Sequence, residues 1–232
     1  MTASPNRSYA AQQAELLAQI AAQARTFGPH LGRDYWRPHV LTAMAAVPRH
    51  RHVPAAWLRL AYADAPLPVD GGTTTSQPLV VALMTDLLDV ADTHHVLEIG
   101  TGLGYATAVL GRLCAKVATI EIDPALAGQA RERLLASGID NVTYGVGDGH
   151  LGWPEIGAVD RIVVAGATDI IPEIWLRQLR PGGRLVVPAG LPGAQRLMVF
   201  NKDADGHLRS KDLMPVRFAS LSKAADAHVG PL

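Results

Sequence analysis

The sequence is short of several things that would each announce a function class. Its 232 residues include one cysteine, Cys114, so no intramolecular disulfide can form and no cysteine-based metal cluster can be built. Basic and acidic residues number 21 each, and this zero balance removes the general attraction that would point to nucleic acid or anionic lipid. No apolar run approaches the roughly 20 residues needed to cross a bilayer. The nearest, Pro78 to Leu88, is interrupted by Thr85 and Asp86. The amino terminus, MTASPNRSYA, lacks the basic-then-apolar pattern of a signal peptide. Internal repeats and low-complexity linkers are also missing. These absences predict a cytoplasmic protein with no membrane or nucleic-acid partner; a monomer is favoured, although oligomeric state is not written in the residues.

What is present is ordinary globular composition, with 48% hydrophobic and 18% charged residues. The length suits one domain over 1–232: amino-terminal helices and a connection through residue 75, an α/β core over 76–222, and a flexible tail over 223–232. In the first 26 residues, Leu16, Leu17 and Ile20 stand at helical spacing. A second helix is predicted over Pro38–Ala46, bounded by Pro48. Pro66, Pro68, Gly71 and Gly72 punctuate an irregular connection. Ser76 is then placed to cap a helix whose apolar stripe runs Leu79, Leu83, Leu87 beside Val80, Met84, Leu88.

From His94 onward short apolar runs alternate with helix-length segments, the pattern of βαβ units on a parallel sheet. Strands are predicted at His95–Ile99, Val117–Glu121, Val142–Val146, Arg161–Val164 and Arg184–Pro188. The intervening helices are Gly104–Leu113, Pro124–Ser137 and Ile171–Leu179. A final antiparallel pair is predicted from Gln195–Asp203 and Met214–Leu221, joined through Asp205-Gly206. The fold class is therefore α/β, a doubly wound, Rossmann-like sheet that is mostly parallel, with antiparallel carboxyl-terminal strands and an amino-terminal helical elaboration.

The segment Val96-Leu97-Glu98-Ile99-Gly100-Thr101-Gly102-Leu103-Gly104-Tyr105 places glycines at alternate positions between a strand and a helix, where such sheets bind ligands. A dinucleotide fingerprint would require Gly or Ala where Tyr105 stands, so the spacing disfavours a pyrophosphate. Glu121, closing the next strand, can accept from both hydroxyls of a ribose. Asp148, in Gly147-Asp148-Gly149 after the third strand, can accept from an adenine amino group. Glu98 lies inside the first strand, where a buried charge needs a partner, and a sulfonium ligand bearing an ammonium group suggests one. These features together predict a class I methyltransferase binding S-adenosyl-L-methionine.

With Gly72-Thr73-Thr74-Thr75-Ser76-Gln77-Pro78 ahead of VALMTDLL, the chain resembles the protein-L-isoaspartate (D-aspartate) O-methyltransferase family, whose Gly-x-Thr-x-Ser-x-Pro loop precedes the glycine-rich turn. Agreement extends to Met44–His50, Ala61–Asp64, Gly147–Gly149, Leu179–Leu185 and Val216–Phe218, covering roughly Leu41 to Leu221. The resemblance implies methyl transfer to the free α-carboxyl of L-isoaspartyl residues in damaged proteins or peptides, leading to repair through a succinimide. It implies Ser76 as the catalytic residue. The implied cofactor-binding set is Thr73, Thr74, Thr75, Ser76, Glu98, Gly100, Thr101, Gly102, Gly104, Glu121, Asp148 and Gly149, with no metal. A plain helix cap is the competing role for Ser76.

The chain departs from the family pattern at Ala165-Gly166-Ala167-Thr168-Asp169, beside the expected substrate entrance. That difference keeps open a relative dedicated to one peptide aspartate. A non-catalytic cofactor-binding module is the third possibility, disfavoured by Ser76 and the complete glycine loop. His94-His95 and His50-Arg51-His52 match no metal signature and read as loop residues, while Arg49, Arg51 and Arg59 read as a solvated face or a carboxylate attractor. Trp36, Trp57, Trp153 and Trp175 read as core or rim aromatics, and Cys114 as buried and inert.

Overall fold

The computed structural model describes residues 8–69, 73–223 and 229–232. Gly71 and Gly72 of the predicted connection, the first seven residues of the predicted first helix and 224–228 of the predicted tail lie outside them.

Five parallel strands form the centre of the sheet: β1 (His95–Ile99), β2 (Lys116–Glu121), β3 (Val142–Gly147), β4 (Val159–Val164) and β5 (Leu179–Ala189). Antiparallel strands β6 (Arg196–Lys202), β7 (Leu208–Pro215) and β8 (Val229–Pro231) complete the order β7-β6-β5-β4-β1-β2-β3-β8. The chain moves outward from β1 through β2 to β3, then returns to place β4 on the other side of β1. This reversal opens a crevice at the carboxyl ends of β1 and β4.

The period-two side-chain alternation of these strands feeds two cores. Val96, Val163 and Val186 face one cluster with α4 (Pro78–Leu88) and α5 (Tyr105–Gly111). Leu97, Ile99, Ile162, Leu185 and Val187 face the other, with Trp153 and Trp175. Helices α6 (Pro124–Ala136) and α7 (Glu173–Gln178) connect the remaining strands. Among the described residues, no helix is long and apolar enough to cross a membrane.

The amino-terminal elaboration consists of α1 (Tyr9–Ala22), α2 (Ala24–Leu31) and α3 (Pro38–Ala46). The single helix expected over the first 26 residues is thus two. The last turn of α1 tightens, with the Gln23 amide donating to Ile20 O, and α2 ends at Gly32 in the left-handed region at φ 73°. Leu16 and Ile20 are buried, and the Trp36 indole N–H donates to Ile20 O at 2.7 Å. Asp86, fully buried on α4, accepts the Arg37 amide at 2.7 Å and the Arg33 guanidinium. The elaboration therefore docks on α4.

Three further expectations are corrected. Ser76 does not cap α4; Gln77 is the cap residue, Pro78 begins the helix, and Asp64 supplies the capping oxygen from another segment, accepting the Leu79 amide at 2.8 Å. The second strand of the final hairpin is Leu208–Pro215, not Met214–Leu221. Asp203 Oδ1 accepts the amides of Asp205 at 3.1 Å and His207 at 2.8 Å, closing the reversal so tightly that pairing resumes at once. Within the tail expected to fray after Ser222, the described Val229–Pro231 forms β8, whose pairing with β3 supplies partners for an otherwise open edge.

Candidate active site

A cavity of about 230 Å³ opens at the crevice. Its walls include His52, Thr73–Gln77, the glycine loop with Glu121 and Ile122, and Ala165–Gly166 with Arg217–Ser222. The last stretch is held by parallel pairing, Ala167 N donating to Ala219 O at 2.8 Å and Leu221 N to Ala167 O at 2.7 Å. Gln195, almost fully buried, accepts the Phe218 amide at 2.7 Å and donates to its carbonyl at 3.1 Å.

Gly102 has φ 54°, and a Cβ built on it would meet no atom within 4 Å. That open space is where a ligand can approach backbone. Gly100 also lines the cavity, whereas Gly104 stands just behind it as the left-handed cap of α5. Glu121 lies on the wall: Oε2 accepts the Gly102 amide at 2.8 Å, and Oε1 accepts those of Ile122 at 2.9 Å and Asp123 at 3.2 Å. The residues fit S-adenosylmethionine: an open backbone cradle is joined to an acceptor-only carboxylate suited to ribose hydroxyls.

Glu98 lies beneath this wall and not on it. Its Oε2 accepts hydrogen bonds from Thr107 at 2.5 Å and Thr119 at 2.7 Å, and Thr101 extends the chain to Thr119 at 2.6 Å. Burial pushes its carboxyl up to about 7, against the opposing pull of the two hydroxyls. Glu98 and Ser76 both line a second cavity of about 20 Å³, with Thr85, Ala106 and Ala165, a space for about one water.

Thr73 and Thr74 are exposed, and Thr75 is buried. The segment pairs with Leu67–Val69: Val69 N donates to Thr73 O at 2.9 Å and Thr75 N to Leu67 O at 2.8 Å. The described residues on either side of 70–72 thus pair antiparallel, with a bridge between Pro68 and Thr74. Ser76 is half-buried and lines both cavities, and among the described residues no protein group hydrogen-bonds its hydroxyl.

Asp148 and Gly149 are not among the residues lining either cavity. Asp148 Oδ1 accepts the His150 amide at 2.9 Å and stands 2.8 Å from its Nδ1. A Cβ on Gly149 would come within 2.3 Å of Ile99 Cγ2, so packing against β1 already demands glycine there.

Sequence reasoning misses two contributors. The apolar spacing of Arg217–Ser222 suggests a strand, yet the segment is a cavity wall. The Arg49–His52 turn reads as a basic loop, yet Arg49 is 1% exposed and His52 is fully buried on the cavity wall. His52 Nδ1 is 3.1 Å from Leu103 O, and burial lowers its pKa to about 4, so the ring is neutral and donates there. No charge pattern separates such residues from solvated ones. Cys114 matches its expectation, buried with its thiol pushed up to about 12.

A family model described as Protein-L-isoaspartate(D-aspartate) O-methyltransferase (PCMT) matches residues 33–226. Protein-L-isoaspartate O-methyltransferase 1 of Polaromonas sp. (strain JS666 / ATCC BAA-500) is 46% identical over 209 residues, covering 90% of this chain and 89% of that protein. Protein-L-isoaspartate O-methyltransferase 2 of Syntrophobacter fumaroxidans is 45% identical over 215 residues, covering 92% and 87%. Among solved structures, a protein-L-isoaspartate O-methyltransferase superposes with TM-score 0.76 at 28% identity, covering 90% of this chain and 66% of that one. A Plasmodium falciparum chain described as a beta-aspartate methyltransferase (PCMT), in complex with S-adenosyl-L-homocysteine, shares the fold with TM-score 0.77 at 21% identity, covering 94% and 100%. On the family match and these identities, the chain belongs to the protein-L-isoaspartate (D-aspartate) O-methyltransferase family.

Proposed function

We propose that this protein methylates the free α-carboxyl of L-isoaspartyl residues in damaged proteins and peptides, with S-adenosyl-L-methionine as donor, starting repair through a succinimide. The observation carrying this reading is the Ser76 hydroxyl, unengaged by protein, on a cavity it shares with the glycine loop and Glu121.

When bound, the cofactor supplies an electrophilic methyl group on a sulfonium. Glu121 receives its ribose hydroxyls, the open face of Gly102 admits its backbone-facing side, and Gly100, Thr101 and Gly104 shape the loop. Asp148, beside Gly149, would accept from the adenine amino group, and Glu98 would attract the ammonium through the Thr119–Thr101 chain or the single-water space. Thr73, Thr74 and Thr75 cover the site.

The acceptor needs no strong base, because an aspartyl-type carboxyl ordinarily titrates near pH 3.9, about three units below neutrality, and is already ionised there. Ser76 orients it with one donated hydrogen bond. Alignment and exclusion of water then carry the rate, since opposite charges neutralise as methyl moves.

The protein works in the cytoplasm on proteins and peptides bearing isoaspartate. A second reading, a narrower peptide range, is favoured by Ala165 and Gly166, which place the departing turn on the cavity wall. Incubation of aged protein with methyl-labelled cofactor tests the main reading. Base-labile label released as methanol supports it, while base-stable label contradicts carboxyl methylation.

A further inference from the structure

Arg49 is buried yet forms no ion pair among the described residues. Its guanidinium is held by carbonyl dipoles: Nη1 donates to Ala61 O at 2.8 Å and Ala63 O at 3.0 Å, and Nη2 to Ala65 O at 2.9 Å. The same Nη2 reaches Thr75 Oγ1 and Ser76 O, each at 3.1 Å. The cation also lies 5.8 Å from the centroid of the Tyr105 ring, beside the glycine loop. Burying an unpaired guanidinium is costly, so a purely structural filler would be better served by an apolar side chain.

What the fork achieves is a fixed relation between two segments. It ties the Ala61–Ala65 turn to the Thr73–Gln77 segment at the residues flanking the acceptor position. Asp64 in that turn makes a second tie, accepting from Gln77 Nε2 at 3.0 Å and capping α4 through Leu79. Thr75 Oγ1 is held from a third direction by the Leu67 amide at 3.1 Å. The backbone of Ser76 is therefore clamped on both sides, while its hydroxyl keeps its hydrogen-bonding capacity for a ligand. Such rigidity matters because misplacement of an aligning group by about 1 Å can cost on the order of 100-fold in rate.

We propose that Arg49 is the positioning residue of the acceptor side: its planar fork sets Ser76 for the incoming carboxylate without lining the cavity itself. This rests on the reading of Ser76 as the carboxylate-orienting residue. Lysine keeps the charge but replaces the fork with a point donor that cannot span Ala61–Ala65 and Thr75–Ser76 together.

The test is a double-mutant cycle of Arg49→Lys and Ser76→Ala in the full chain. It is read by kcat/KM on an isoaspartyl peptide and by Kd for S-adenosylhomocysteine from calorimetry. Arg49→Lys alone is expected to lower kcat/KM at least tenfold with Kd changed less than threefold; in the Ser76→Ala background it costs less than threefold more. A loss of the same size in both backgrounds, a parallel loss of S-adenosylhomocysteine binding, or wild-type turnover in Arg49→Lys overturns the proposal. If Ser76→Ala alone turns over normally, the reading of Ser76 fails, and the Arg49 proposal falls with it for that separate reason. Should Arg49→Lys not fold, Thr75→Val keeps the fork and removes one of its two acceptors at Thr75–Ser76, together with the partner of the Leu67 amide. It is expected to show at least a threefold loss that vanishes in the Ser76→Ala background, and no loss overturns the proposal.

Discussion

The Glu121 carboxylate accepts the Gly102 amide at 2.8 Å, so the acid at the end of β2 and the turn after β1 form one unit before any ligand contact is considered. With the Ile122 and Asp123 amides also bound, three of the roughly four lone-pair sites of the carboxylate are engaged. On the proposed cofactor placement, a ribose hydroxyl would take the remaining site on Oε2 beside the Gly102 bond, which would couple ligand binding to the glycine loop. Glu121→Gln, which keeps an acceptor but loses the charge, is predicted to weaken S-adenosylhomocysteine roughly ten- to hundredfold in calorimetry, as expected for losing charge-assisted hydrogen bonds. Unchanged affinity would remove Glu121 from the cofactor site.

Two glycines in the motifs make opposite demands. Gly102→Ala puts a methyl into open cavity at positive φ, with a backbone cost of about 1–2 kcal/mol, and is predicted to impair cofactor binding more than stability. Gly149→Ala drives a methyl against Ile99 and is predicted to destabilise the fold by about 1–3 kcal/mol. Urea unfolding paired with ligand titration of both variants separates the two, and an equal loss of cofactor affinity in both would contradict the distinction.

The buried titrating groups give a signed pH dependence. Glu98, raised to about 7, holds its proton more tightly when folded, so its contribution to stability falls as pH rises from about 4.5 to 7. His52, lowered to about 4, acts oppositely, adding stability as pH rises from about 4 to 6.5. Glu98→Gln removes only the first contribution. Its stability should gain on wild type across pH 4.5 to 7 by an amount on the order of 3 kcal/mol, measured by denaturant unfolding at several pH values. A difference that does not vary with pH would show that Glu98 does not titrate in this range.

The parallel sheet is legible in the sequence because β1 to β5 are apolar runs bounded by turns, and the bounds expected for β1 are those the structure shows. The glycine loop and Glu121 are legible because backbone conformation and strand-end chemistry are local. Asp203 changes the hairpin register by local side-chain bonds, which the apolar residues Val216, Phe218 and Leu221 mask. Arg49, His52 and the Asp64 cap of α4 are hidden for a different reason. Their partners lie in other segments, so only tertiary packing tells a buried guanidinium from a solvated one.

The Arg217–Ser222 wall is anchored at Phe218 by one buried side-chain amide, that of Gln195. Gln195→Leu leaves the Phe218 amide and carbonyl without that partner and is predicted to raise KM for an isoaspartyl peptide about fivefold, in line with about 1 kcal/mol for a hydrogen bond. Cofactor affinity should stay nearly constant in the same preparation. A shift in cofactor Kd with unchanged peptide KM would place this wall on the donor side instead.

The most direct test of the whole account is steady-state methyl transfer to two peptides identical except for an L-isoaspartyl or an ordinary aspartyl linkage at one position. The expected result is a kcat/KM that strongly favours the isoaspartyl peptide and that Ser76→Ala lowers roughly ten- to hundredfold while S-adenosylhomocysteine still binds. Equal rates on both peptides, or activity confined to the aspartyl form, would contradict it.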